Sequence, residues 1–274
     1  MGARKPVRTV TVASGKGGVG KTNVVTNLAI ALRSMGKEVL ILDADVGLSN
    51  VDILLHLAPR HNISHVLSGE KSLKEVIIDG PRGIKVLPAA SGAQELTNLD
   101  EFQRMCLLDA FNAYEGGIDV LLIDAPAGIS ENVAFFCIAS QEIVVVTAPE
   151  PTALTSAYAL IKVLSLRYRE KRFGILVNSA RSEEDATEVY RNLSVAAGEL
   201  LNVSLDYIGY IPLDASVQDA VRSQTAFVDM FPDGPASRKV REIASRFLER
   251  PAGDVKGTLQ FFLENLFSAA AGVR

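Results

Sequence analysis

Residues Gly15-Lys16-Gly17-Gly18-Val19-Gly20-Lys21-Thr22 complete the pattern G-x-x-x-x-G-K-[ST], and the first variable position holds a second lysine, Lys16. An apolar, β-branched run at 7–13 precedes the octet and a helical pattern at 23–34 follows it. Strand, glycine-rich loop and helix in that order make a phosphate loop. Its glycines let the backbone wrap an anion, so that successive N–H groups and a helix N-terminus face it. Lys21 is placed to neutralise β- and γ-phosphate oxygens, and the Thr22 hydroxyl to take one position on Mg²⁺. The candidate nucleotide contacts are therefore Gly15, Lys16, Gly17, Gly18, Val19, Gly20, Lys21 and Thr22, with Asn23 directly behind them.

Further short β-branched runs occur at 39–42, 84–87, 120–123, 143–147, 173–177 and 207–211. Helix-length amphipathic segments lie between them, at 99–114, 152–166 and 183–201, and another follows at 237–248. Near-continuous apolar strands alternating with helices predict a doubly wound α/β fold: a mainly parallel sheet with helices on both faces and ligands at the carboxyl ends of the strands. After the last of these helices, 251–257 (Pro-Ala-Gly-Asp-Val-Lys-Gly) is read as a linker, dividing a phosphate-loop domain, 1–250, from a tail at 258–274. Within the tail Leu259, Phe262, Leu263, Leu266, Phe267 and Ala270 follow the spacing of an amphipathic helix.

The chain has 274 residues, 48% hydrophobic and 22% charged, with formal net charge −4, so no overall basic field draws it to DNA or acidic lipid. The basic N-terminus lacks the apolar stretch of a secretory signal, and no run reaches the ~18 apolar residues of a spanning helix. A cytoplasmic location is expected. Cys106 and Cys137 lie far apart in apolar segments and read as buried, inert thiols. His56, His61 and His65 lack a carboxylate or thiol at ligand spacing and read as solvated loop residues.

Three carboxylates complete the chemistry. The second run ends in Asp43-Ala44-Asp45, and alternation puts Asp43 and Asp45 on one side of the chain where the phosphate loop also opens. One can serve the Mg²⁺ shell while the other orients a water for attack on the γ-phosphate. Asp124 closes the run at 120–123 and is followed by Ala125-Pro126-Ala127-Gly128. That is a Walker-B arrangement, in which the acid holds Mg²⁺ directly or through water.

Lys16 in K-G-G-V-G-K-T, D-A-D-x-G-L-x-N-x-D at 43–52 and D-A-P-A-G at 124–128 resemble the deviant Walker ATPases of the MinD/ParA group. Segments at 46–55, 86–92, 150–162 and 261–264 are similar to those of its FlhG/FleN regulators of flagellar number and placement. The resemblance implies a MinD-like P-loop fold and an ATP-driven switch from monomer to sandwich homodimer. Lys16 would reach across to the partner's phosphates, a cation supplied in trans that for an arginine finger gives about 10³–10⁵ in rate. Asp45 matches the residue that positions the hydrolytic water, and Asp43 and Asp124, with Thr22, match the magnesium shell. Asn178 matches the adenine-reading asparagine, opposite a wall of Pro212, Leu213 and Asp214.

The implied function is an ATPase regulating flagellar number or placement, with a flagellar placement GTPase or flagellar transcription regulator as candidate partner. The short basic N-terminus lacks the D-Q-A-x-x-L-R segment through which some members stimulate that GTPase. A MinD-like division-site ATPase is an alternative, and would be expected to carry a cationic tail; here Glu264 is the one charge before Arg274. A ParA-like partition ATPase is another, for which 166–172 (Leu-Arg-Tyr-Arg-Glu-Lys-Arg) is a short basic run of the kind that usually ends a solvated helix, so DNA is not expected as a partner. The apolar tail face, Leu259, Phe262, Leu263, Leu266 and Phe267, is expected either to dock on the protein or to make a peripheral contact with the inner face of the cell membrane.

Overall fold

The computed structural model describes residues 6–45, 50–90, 99–254, 256 and 259–263. Eight strands form one sheet in the order β3-β4-β2-β5-β1-β6-β7-β8. They span β1 Arg8–Ser14, β2 Val39–Asp43, β3 Ile78–Asp79, β4 Lys85–Leu87, β5 Val120–Ala127, β6 Glu142–Thr147, β7 Arg172–Ala180 and β8 Ser204–Pro212. Every pairing is parallel except β3 with β4, where a two-residue antiparallel strand closes one edge. Seven of these are the expected runs: five are extended, by one to four residues at an end, β1 is shifted by one and β4 begins one residue later; β3 is too short to leave a period in the sequence.

Strand alternation explains the helices on both faces. Leu40 and Leu42 of β2, with Leu121 and Ile123 of β5, enter one apolar core, while Val39, Ile41, Val120 and Leu122 enter the other. The first core is covered by α3 (Ile63–Leu67), α5 (Glu101–Ala113), α6 (Glu131–Ile138), α7 (Pro151–Tyr168) and α8 (Glu183–Leu201). The second is covered by α1 (Lys21–Ser34), α2 (Val51–Leu54), α9 (Ala215–Arg222), α10 (Phe227–Met230) and α11 (Pro235–Glu249). A four-residue helix, α4 (Leu73–Val76), precedes β3. β1 lies between β5 and β6, so the strand order turns about the phosphate-loop strand, which is where such sheets open a ligand crevice.

The segment after α11 returns to the first core. Lys256 pairs with the buried Glu170 at 2.9 Å, Gln260 Nε2 donates to Ile138 O, and Phe261 N donates to Ala139 O at 3.0 Å. Phe261 and Phe262 are 0% and 1% exposed, with ring centroids 4.9 and 5.4 Å from Phe111 of α5. One expectation is corrected here. Residues 259–262 are not helical, and Phe262 takes a left-handed φ of 56°. Of the two outcomes expected for the apolar tail face, Phe262 takes the docked one and is core, whereas Leu259 remains exposed; Leu266 and Phe267 lie outside the described residues.

Two smaller corrections concern the thiols and imidazoles. Cys137 is fully buried, which pushes its thiol up to about 12, but Cys106 is only half-buried. His65 is half-buried against His61 and closes the capping box of α3 with Asn62; His56 bonds to Gln224.

Candidate functional site

β1 delivers the chain into the loop at Ser14, and Gly20 turns it into α1 with φ 83°. The glycines are dictated by close approach. A Cβ on Gly15 would lie 1.9 Å from Ser156 O of α7, and one on Gly20 would lie 2.3 Å from Asn178 Nδ2. The loop is thus pressed between α7 and β7, with the N-terminus of α1 open to an anion.

Lys21, the first residue of α1, is buried, and its Nζ donates to Asp124 Oδ1 at 2.5 Å. Thr22 Oγ1 donates to Asp124 Oδ2 at 2.7 Å. Asp124 is carried by β5, whose register pairs it with Asp43 of β2 and Val12 of β1. Asp43 Oδ1 accepts from Asp45 N at 3.2 Å, and Oδ2 accepts from Asn50 N and Val51 N at 3.1 Å each. Burial, then the neighbouring Asp124 charge, raise the Asp43 carboxyl to about 7 against the pull of those backbone donors. Burial also raises Asp45, with Asp124 acting the same way and Lys21 opposing. Asp45 is half-buried and faces the cleft; Val46 to Ser49 lie outside the described residues.

Among the described residues no group of three or more His, Cys, Asp or Glu side chains could hold a metal alone. Mg²⁺ needs less from a protein: it retains waters and is held by one or two carboxylates together with substrate phosphates. A hydroxyl and a carboxylate already in contact beside the loop, Thr22 and Asp124, are the hard-oxygen donors that fit it.

The second loop lysine points elsewhere. Lys16 Nζ contacts Glu150 Oε2 at 2.9 Å and Thr152 Oγ1 at 3.0 Å, both at the start of α7. The Lys16 and Glu150 side chains are 39% and 59% exposed. These partners lie 134 and 136 residues from Lys16, and no local pattern announces the contact.

Two adjoining clefts of about 370 Å³ each share Gly18, Gly20, Asn23 and Val221. The first holds the loop from Gly17 to Thr22 together with Asp45, Asn50 and Gln224. Asn178, Pro212, Leu213 and Asp214 line the second, so all four residues expected around a base stand together. Asn178 Nδ2 donates to Val19 O at 2.8 Å, tying the second cleft to the phosphate loop. Asp214 caps α9 through Ser216 N and also accepts from Ala236 N, so its carboxylate is a wall and not a free ligand.

The protein family described as an AAA domain matches residues 7–175. The antiactivator FleN of Pseudomonas aeruginosa is 41% identical over 97% of this chain and 95% of its own length. The flagellum site-determining protein YlxH of Helicobacter pylori is 32% identical over 88% of this chain and 82% of its own. Among solved structures, the septum site-determining protein MinD from Pyrococcus horikoshii, complexed with Mg-ADP, superposes with TM-score 0.73 at 25% identity, covering 88% of this chain and 96% of that one. A chain that shares so much sequence with FleN along nearly its whole length, and its backbone with MinD, belongs to the MinD/ParA group of deviant Walker ATPases, with ATP as substrate and Mg²⁺ as cofactor.

Proposed function

We propose that this ATPase is a switch that dimerises around two ATP molecules and in that state regulates flagellar number or placement. The contrast between its two loop lysines carries the reading. Lys21 is enclosed with Asp124 and serves its own nucleotide, while Lys16 rests on exposed, exchangeable contacts at the rim. A partly exposed ion pair is worth ~0–1 kcal/mol, so a partner's triphosphate can displace it. Lys16 in trans then adds positive charge where negative charge develops on the transferred phosphoryl group.

The other roles in this reading are supported by where the side chains stand. The N–H groups of 15–22 cradle the phosphates, and Thr22 and Asp124 would hold Mg²⁺, which would supply neutralisation of the phosphate charge. Asp43, whose oxygens accept from the N–H groups of Asp45, Asn50 and Val51, would complete the magnesium shell from behind Asp124. Asp45 orients the attacking water. Asn178 reads the adenine edge opposite Pro212 and Leu213, through the donor and acceptor of its amide.

The flagellar assignment is supported by the similarity to FleN and YlxH. A flagellar transcription regulator or a flagellar placement GTPase is the partner to expect. Any peripheral membrane contact falls to the tail from Leu263 onward, including Leu266 and Phe267, because Phe262 is seated in the core. No described helix is long and apolar enough to cross a membrane.

The test holds the Asp45→Ala protein in ATP, measures its mass by light scattering and identifies what it retains from cell extract. A dimer that Lys16→Ala abolishes, retaining a flagellar regulator, is expected. Association indifferent to ATP or Lys16 removes the switch. Retention of division proteins, or salt-sensitive capture of nonspecific duplex, moves the function to the MinD-like or ParA-like alternative.

A further inference from the structure

The wall of the phosphate-side cleft contains a contact that the reaction chemistry does not use. Gln224, just beyond α9, donates from Nε2 to Ile53 O of α2 at 2.9 Å, and its Oε1 lies 2.8 Å from His56 Nδ1. With Nε2 committed to a carbonyl, Oε1 is the acceptor, so His56 Nδ1 carries the proton. The residues are 168 and 171 apart in sequence. Both His56 and Gln224 have left-handed backbone, at φ 52° and 48°, a conformation L side chains seldom take without something holding them there.

What this contact joins gives it meaning. The N-terminal end of α2 is seated on the Asp43 carboxylate through Asn50 N and Val51 N, immediately after the loop that bears Asp45. The far end of α2 is held by Gln224. Gln224 follows α9, which begins at Asp214 on the base side and reaches the phosphate side at Val221. One side chain therefore ties the wall carrying the catalytic loop to the wall carrying the base site. We propose that Gln224 is a positioning residue whose two hydrogen bonds clasp α2 to α9 across the nucleotide cleft and slow nucleotide release. The proposal rests on the two clefts being the nucleotide site.

The experiment is stopped-flow release of a fluorescent, ribose-labelled ADP from the full chain with Mg²⁺. Two exposed hydrogen bonds, between the lower end and the middle of their usual net strength, predict release about five- to thirtyfold faster in Gln224→Ala. Gln224→Met, which keeps the side-chain length without donor or acceptor, should match it. His56→Ala removes one bond and should give a smaller acceleration, and adding it to Gln224→Ala should change nothing further. Release within twofold of wild type in Gln224→Ala or Gln224→Met overturns the clasp, as does a double variant in which the two effects multiply. If wild type fails to bind the labelled ADP, the nucleotide-site reading fails first; normal binding with unchanged release removes the clasp alone.

Discussion

Phe261 gives the sharpest quantitative test of how the chain ends. Its ring is fully buried, 4.9 Å from Phe111, 6.1 Å from Phe135 and stacked 6.4 Å from Phe136, while its N–H is bonded to Ala139 O. Phe→Ala in such a setting costs about 3–5 kcal/mol, because transfer energy and a residual cavity add. At ~2–4 °C per kcal/mol for a domain of this size, Phe261→Ala should lower the melting midpoint of the nucleotide-free protein by about 6–20 °C, read by circular dichroism or calorimetry. Extracting both Phe261 and Phe262 costs up to about 6–10 kcal/mol, whereas burying two such rings elsewhere returns ~1.5–3 kcal/mol each. A membrane contact should therefore leave this pair in place, and liposome binding by the ATP-held Asp45→Ala protein should be lost on truncation after Leu263. A midpoint change below about 2 °C in Phe261→Ala would show that the aromatic pair is not core and return Phe262 to the exposed face.

Lys21→Ala should abolish ATP binding, while Asp45→Ala keeps binding and loses hydrolysis, because one contacts ground-state phosphate and the other acts in the transition state; equal loss of affinity by titration calorimetry rejects those roles. Asp124→Ala strands the buried Lys21 ammonium and should cost about 3–5 kcal/mol in denaturant unfolding without nucleotide, more than the loss of an exposed pair could explain. Gly20→Ala drives a methyl into Asn178 at a backbone φ of 83°, so ATP affinity should fall with Lys21 and Asp124 intact; wild-type affinity would refute the close approach. Asp43, raised from 3.8 to about 7, keeps in the folded state a proton that the unfolded chain releases. Its contribution is complete below the lower value and lost as pH rises through the upper one, so melting without nucleotide should fall between about pH 4 and pH 7 and do so less in Asp43→Asn.

The phosphate loop, Asp43, Asp45 and Asp124 were legible because their positions are fixed by local order: a motif on a strand end states where its side chains go. Seven strands were legible for the same reason, through runs long enough to show a period. What escaped was either short or remote. The two-residue β3 and four-residue α2 are held by tertiary contacts and leave no pattern. The Lys16 contacts with Glu150 and Thr152, and the Gln224 contact with His56, join segments whose proximity exists only once the sheet is assembled. The tail misled because its helical period was satisfied by Leu259, Phe262 and Leu263 while Phe261 lay off that face. Two consecutive buried aromatics fit a turn, with Phe262 in left-handed backbone, and not a helix.

In the proposed switch, the different burial of the two loop lysines would separate binding from switching. A cation enclosed beside a carboxylate keeps a large electrostatic interaction even at high salt, because little water or counterion lies between them. Lys21 and Asp124 have that environment, which suits a site that must admit phosphate in every cycle. Lys16 and Glu150 sit where solvent screens them, so their pairing can be given up when a stronger anion arrives. Exchanging the two environments would defeat both tasks: a buried Lys16 would pay heavily to leave its partner, and an exposed Lys21 would hold phosphate weakly. Salt should therefore act unequally on the protein, weakening an association that depends on Lys16 more than the binding of ATP to the monomer. Parallel titrations of dimer mass and ATP affinity with sodium chloride measure the two slopes, and equal slopes would remove the division of labour between the lysines.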